Sequence, residues 1–311
     1  MISKTSTSSL KGIAILLVVV GHLVTNRFLP WPHELRYFAS FGVSIFLILS
    51  GYGLAASYNK NGLDNFFKKK FIGVYFPFML STILLSIFSM KMLISPLNVL
   101  TTLAFINFDL TLDGTMWYIY FIAIWYVFFF FSFRATSNNL IRLAILFGLG
   151  LMFIYLDPFR NHTNLSFQTK LHALTFPIGV MLFLLREKLI RLRQTLFLTF
   201  TISFMISICV LWGKFDYFTF GLCGVLMALS LFFLSSLVEI NWNCLVISGF
   251  YSYEIYLFEG VMRNIKYSSE PIINAIALII ILFGVSIIFK KFTMYSYNYI
   301  GNKLKAFMII M

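Results

Sequence analysis

Apolar residues in this chain come in long unbroken runs, separated by short charged or Pro- and Asn-rich breaks. Alternation of apolar and polar positions would indicate half-buried strands, whereas runs of roughly 20 apolar residues match the length at which a helix crosses the hydrocarbon of a bilayer. The runs fall near 12–29, 37–57, 71–90, 116–133, 142–156, 171–185, 195–212, 218–238, 244–262 and 271–289. They predict an all-α integral membrane protein, with about ten transmembrane helices in one bundle. The runs at 142–156 and 171–185 are short for a full crossing and need flanking residues or a thinned bilayer. The stretch from Met92 to Phe108 is apolar but broken by Pro96 and Asn98, which fits an interfacial or re-entrant segment. The tail after Lys291 mixes Tyr, Lys, Phe and Ile, a pattern suited to a helix lying on the inner membrane surface. Lys4 and Lys11 precede the first run, and no small-residue cleavage site follows it, so it reads as an uncleaved first span. No fixed-period repeat and no Gly/Ser-rich linker occurs, which points to one integrated domain over 1–311 and away from an inverted-repeat transporter.

Composition sharpens this picture. Of 311 residues, 60% are hydrophobic and only 11% charged, against about 45–50% and 25% in soluble domains. Such a chain has too little polar surface to face water, which excludes a soluble enzyme, a disordered chain and a nucleic-acid binder. The net charge of +13 therefore bears on topology. With a cytoplasmic N-terminus, sixteen of the 24 Lys and Arg residues fall in inside segments, the expected bias for an N-in, C-in protein of the plasma or inner membrane. Cys209, Cys223 and Cys244 lie in or beside apolar runs without metal-ligand spacing and read as lipid- or core-facing residues.

Ionisable groups within spans are costly and are therefore candidate functional residues. His22 lies in the first run, eleven residues after Lys11. Eleven residues turn about 1100°, so both side chains share one helix face, with a rise of about 16 Å between them. A cation at the inner surface and an imidazole near the midplane suit the two ends of one long anionic molecule, and coenzyme A has that shape. The plain alternative makes Lys11 a topological anchor and His22 a packing residue bonded to backbone or to Asn26. Glu254 and Glu259 share the ninth run, five residues apart and about 140° around the helix, so they face different neighbours. One suits neutralising a buried cation or orienting His22, the other binding sugar hydroxyls; equally, Glu259 can pair with Arg263 one turn on. Lys68, Lys69 and Lys70 can receive phosphates as point charges, or merely fix topology and touch anionic lipid. His33 and His162 fall in outer loops, and His172 at an outer span end where solvation is cheap.

Taken together, these residues resemble the acyltransferase-3 family of membrane acyltransferases over most of the chain. Leu10, Lys11, Gly12 through Gly21 and His22 match its opening motif of a basic residue, ten residues, then His. Gly42 to Phe46 followed by Leu49, Ser50, Gly51 and Tyr52 resemble its phenylalanine-rich segment ending in Ser-Gly-Tyr or Ser-Gly-Phe. Lys70 stands seven residues before Pro77, as the family's basic cluster does; Met116, Trp117 and Tyr118 resemble its aromatic Trp-Tyr motif; and Phe176 to Gly179 and Ser252 to Phe258 also have counterparts. The chain departs from the family at Gly73 and Val74, where arginine is usual, and at Met116 and Glu259, where many members carry His.

The resemblance implies O-acyl transfer from cytoplasmic acyl-CoA, usually acetyl-CoA, to a hydroxyl of a cell-surface polysaccharide, such as an exopolysaccharide or capsule, or of its lipid-linked precursor. His22 is the expected base and Glu254 its expected catalytic companion. Lys11 and Lys68 to Lys70 would hold the CoA phosphates, and Ser50, Tyr52, Trp117 and Glu259 would contact substrate. Expected partners are acyl-CoA, a carbohydrate acceptor, membrane lipid and other members of a glycan assembly complex; no nucleic acid, metal or permanently bound cofactor is expected. A transporter or flippase of glycans or lipid-linked sugars predicts a polar lining across several spans, whereas intramembrane charge here concentrates in the first and ninth. A purely structural membrane partner predicts a replaceable His22.

Overall fold

The computed structural model describes residues 1–89, 95–106, 114–160, 163–211 and 217–310. It is helical throughout, with no strand among the described residues. This follows from the lipid environment, where a helix satisfies every backbone group within one segment. Among the described residues, eight helices are long and apolar enough to cross a membrane: Lys4–Thr25, His33–Asn61, Phe66–Phe88, Gly114–Ala135, Leu165–Leu184, Arg186–Val210, Thr219–Leu237 and Pro271–Tyr297. They coincide with eight of the ten predicted runs.

The other two runs differ from expectation. The run at 142–156 is the shorter helix Asn139–Tyr155. The run at 244–262 is two helices, Asn243–Phe250 and Ser252–Met262, which meet at Tyr251. A methyl group at Gly249 would overlap the Ser8 carbonyl, so the first piece is held flush against the first helix before the chain turns. The predicted surface tail is also continuous with the last span, in one helix Pro271–Ile310 of 40 residues. Its length of about 60 Å is twice the hydrocarbon thickness.

The chain divides into two compact units, Met1–Asp64 with Trp117–Ser252 and Asn65–Met116 with Tyr253–Met311. In the first, α1 (Lys4–Thr25) packs on α2 (Phe38–Asn61), with α5 (Trp117–Ala135), α6 (Asn139–Tyr155), α7 (Thr163–His172), α8 (Thr175–Leu184), α9 (Arg193–Leu211), α10 (Tyr217–Leu237) and α11 (Asn243–Phe250). The second holds α3 (Phe66–Phe88), α4 (Pro96–Leu103), α12 (Ser252–Met262) and α13 (Pro271–Ile310). The α7–α8 break at Ala173 and Leu174 has its cause in Pro177, which lacks an N–H and crowds the carbonyl four residues back.

Arg142, at the start of α6, is buried. Its guanidinium donates to the Thr136 carbonyl, Asn139 Oδ1 and the Tyr58 hydroxyl at 2.7, 3.1 and 2.9 Å, and it covers the Tyr58 and Phe133 rings. It thereby ties together the ends of α2, α5 and α6. Of the Met92 to Phe108 segment, 92–94 and 107–108 lie outside the described residues, as does His162. The described part is α4, which returns onto α3 through a Tyr75 hydroxyl donating to the Leu103 carbonyl at 2.8 Å and a Phe78–Phe105 stack. The cysteines are free, Cys223 buried and Cys209 and Cys244 exposed.

Candidate functional site

In the first unit the candidate residues stand beside glycines at which helices touch. Lys11 precedes Gly12, where a methyl group would overlap the Leu245 carbonyl of α11, and His22 follows Gly21, where it would overlap the backbone of Ala39 on α2. The close approaches fix both the height and the rotation of α1. Ser3 caps the helix by accepting from the Ser6 N–H at 3.0 Å, and the Ser9 hydroxyl donates to the Ile240 carbonyl at 2.7 Å. The helix therefore starts at Lys4, two turns before the predicted span, and ends at Thr25. As a result His22 lies in the last turn, not near the middle of the span, with the Asn26 N–H donating to its carbonyl at 2.9 Å.

The helix face shared by Lys11 and His22 also carries Ile15 and Val18, which are 0% and 2% exposed. That face is therefore turned into protein. Lys11 itself is exposed and His22 half-buried.

On α2, the Ser50 hydroxyl hydrogen-bonds with the phenols of Tyr118 and Tyr126. The half-buried Tyr52 ring meets Phe183 and Phe232 edge-on at 5.4 and 5.1 Å. Its hydroxyl reaches the Ile2 backbone. Trp117, at the start of α5, is buried and stacks flat on His172, with centroids 5.8 Å apart and 13° between planes. His172 is 0% exposed, which corrects the expectation of a cheaply solvated span end. The reason is tertiary: its Nε2 meets the Ser40 hydroxyl at 3.1 Å and its Nδ1 the Ser44 hydroxyl at 3.3 Å. Sequence spacing gave no signal for this cluster, because its members lie on three separate helices.

In the second unit, Glu254 is 5% exposed and accepts from Lys290 Nζ at 3.1 Å. Of its two expected roles, the geometry supplies the first, neutralising a partly buried cation. Glu259 is 1% exposed and pairs with Arg263 one turn on at 3.4 Å. The two carboxylates thus face different neighbours, as their spacing requires. Lys68 and Lys69 are exposed, while Lys70 is half-buried over the Phe66 ring. The cluster runs directly into a π-helical turn, Phe71–Tyr75, of the kind that recurs at functional sites. Gly73 and Val74, the positions of the missing arginines, lie in this turn, and the Val74 carbonyl accepts from the Tyr253 hydroxyl at 2.7 Å. Tyr256 similarly donates to the Thr115 carbonyl, beside the buried Met116.

Outside the spans, Asp157 joins α6 to α7. Burial alone would raise its carboxyl, but hydrogen bonds from Lys170 and Ser166 and the Lys170 charge outweigh that effect and hold it below the usual carboxylate range.

These features define a multi-pass helical membrane protein with polar groups clustered inside two units of helices. The family described as an acyltransferase domain, acyltransferase-3, matches residues 8–291, and the chain belongs to that family. The protein is a membrane acyltransferase, and the match runs through both units. Neither the curated proteins nor the solved structures gave a match.

Proposed function

We propose that this acyltransferase, in the plasma or inner membrane, moves an acyl group from cytoplasmic acyl-CoA to a hydroxyl of a cell-surface polysaccharide or of its lipid-linked precursor. Acetyl is the favoured group. The observation that carries the reading is α1, which sets an exposed ammonium and an imidazole on one face while Ile15 and Val18 between them are buried. The separation of about 16 Å along the helix suits a carrier with phosphates at one end and a thioester at the other.

In this reading His22 accepts the proton of the acceptor hydroxyl as its oxygen attacks the thioester carbonyl. A neutral imidazole has one acceptor ring nitrogen, which is suited to taking up that proton. The new C–O bond forms, the C–S bond breaks, and the thiolate of CoA leaves and takes up a proton. In the first unit Lys11 is the candidate contact for the phosphates of the donor, and in the second unit the cluster Lys68 to Lys70 offers the same chemistry, as ammonium groups do in other phosphate sites. Ser50, Tyr52 and Trp117 line the acyl path and Glu259 approaches the sugar, while Glu254 keeps the charge of Lys290 compensated. Donor entry from the inner face would let a cytoplasmic acyl-CoA serve an acceptor that is exported.

The test is mass analysis of surface polysaccharide from cells with and without the protein. O-acyl groups present only with the protein support the reading, and an unchanged acyl content overturns it.

A further inference from the structure

We infer that His172 is a positioning residue of the acyl-transfer site, a neutral imidazole that holds the Trp117 indole in its plane. The inference rests on the proposed role of Trp117 in lining the acyl path. The imidazole ring is fully buried, and its hydrogen-bond partners among the described residues are two hydroxyls, with no carboxylate. Ser40 and Ser44 are one turn apart on α2, so a single helix face presents both oxygens to both ring nitrogens. A neutral imidazole has one donor and one acceptor nitrogen, and hydroxyls satisfy either. An imidazolium at the same place would be a buried charge with no counter-charge, which is strongly unfavourable. The site therefore selects the uncharged form, and His172 is a fixed wall, not a proton carrier.

What that wall supports is Trp117. The indole begins α5 immediately after the turn Gly114–Met116, where the chain has only just become helical. Its other ring neighbours meet it at steep or tilted angles, Tyr118 at 89° and Phe121 at 43°. His172 alone among these lies parallel to it. The clamp on His172 is itself braced, since a methyl group at Gly224 of α10 would crowd the Ser44 hydroxyl oxygen at 2.8 Å. Three helices thus converge on the orientation of one indole, α2 through the serines, α7 through His172 and α10 through Gly224.

The experiment is a double-mutant cycle on the full-length protein in membranes, using labelled acetyl-CoA as donor probe and washed cell membranes as the source of acceptor. Rates are taken per folded protein. Trp117→Phe and His172→Leu are each expected to lower kcat/KM about tenfold, the scale of an aromatic pair, and the double variant to be no worse than either alone. His172→Phe keeps the flat ring and is expected to retain activity within about threefold, with an unchanged pH profile. Additive losses in the cycle would overturn the inference while leaving the role of Trp117 intact. So would a His172→Leu protein that folds less but transfers at the wild-type rate, or a His172→Phe protein that is inactive with an altered pH profile. If Trp117→Phe has no effect, the proposed acyl path fails together with this inference.

Discussion

Replacing Glu254 by Gln leaves the Lys290 ammonium beside a neutral amide. At 3.1 Å and an effective dielectric of about 20, the two charges attract by about 5 kcal/mol. Lys290 keeps 19% of its side chain exposed and recovers part of that by hydration. The expected loss is therefore about 3 kcal/mol, the lower end of the range for breaking a buried pair, or roughly a hundredfold in the ratio of folded to unfolded protein. Lys290→Met in the same chain removes the cation as well, and the double variant is expected to recover most of the stability. Thermal unfolding of the purified protein in detergent measures all four members of the cycle. Acyl transfer by the double variant then separates two roles: a counter-ion can be replaced together with its partner, whereas a carboxylate needed in the reaction cannot. A Glu254→Gln protein as stable as wild type, or a double variant no better than the single, would refute the ion-pair account.

Other substitutions probe the framework. Gly249→Ala pushes a methyl group into the Ser8 carbonyl and is expected to cost about 1–3 kcal/mol through overpacking; an unchanged melting temperature would show that α1 and α11 are not held as described. Tyr253→Phe removes the hydrogen bond to the Val74 carbonyl in the π-turn. It should cost about 1 kcal/mol and raise KM for acyl-CoA at constant kcat, whereas a fall in kcat alone would detach the turn from donor binding. The depressed Asp157 carboxyl contributes stability that is present above its unfolded pKa of about 3.9 and is lost as pH falls through the lower folded value. Asp157→Asn, which tolerates the left-handed backbone there (φ 43), should flatten this acid limb in pH-dependent unfolding. A limb as steep as that of wild type would remove the Asp157–Lys170 pair as its source.

Much of the fold is legible because a bilayer forces backbone hydrogen bonding inside each segment, so that an apolar run of sufficient length carries its own structure. Helix ends are less so. The serine cap at Ser3 starts α1 at Lys4 and the helix ends at Thr25, four residues short of the predicted run, and together these move His22 from the middle of a span to its last turn. The break at Tyr251 is hidden in a continuous apolar run, because its origin is the docking of Gly249 against a different helix. Local spacing found the Glu259–Arg263 pair, one turn apart, but could not find Lys290, which is 36 residues from Glu254. The depth of His172 was invisible for the same reason: the serines that bury it are 132 and 128 residues away. Its position near the end of an apolar run suggested water instead. The glycines of the opening motif, by contrast, gain a physical meaning from the structure, as the places where α1 touches its neighbours beside each candidate residue.

Single-turnover acyl transfer by His22→Ala, with acetyl-CoA binding measured on the same protein, tests the account most directly. Donor affinity is expected to match wild type, because Lys11 and the lysine cluster remain, while the transfer rate falls by about 10²–10⁴-fold, the scale of a lost general base. Transfer at the wild-type rate by a protein without this imidazole would contradict the account.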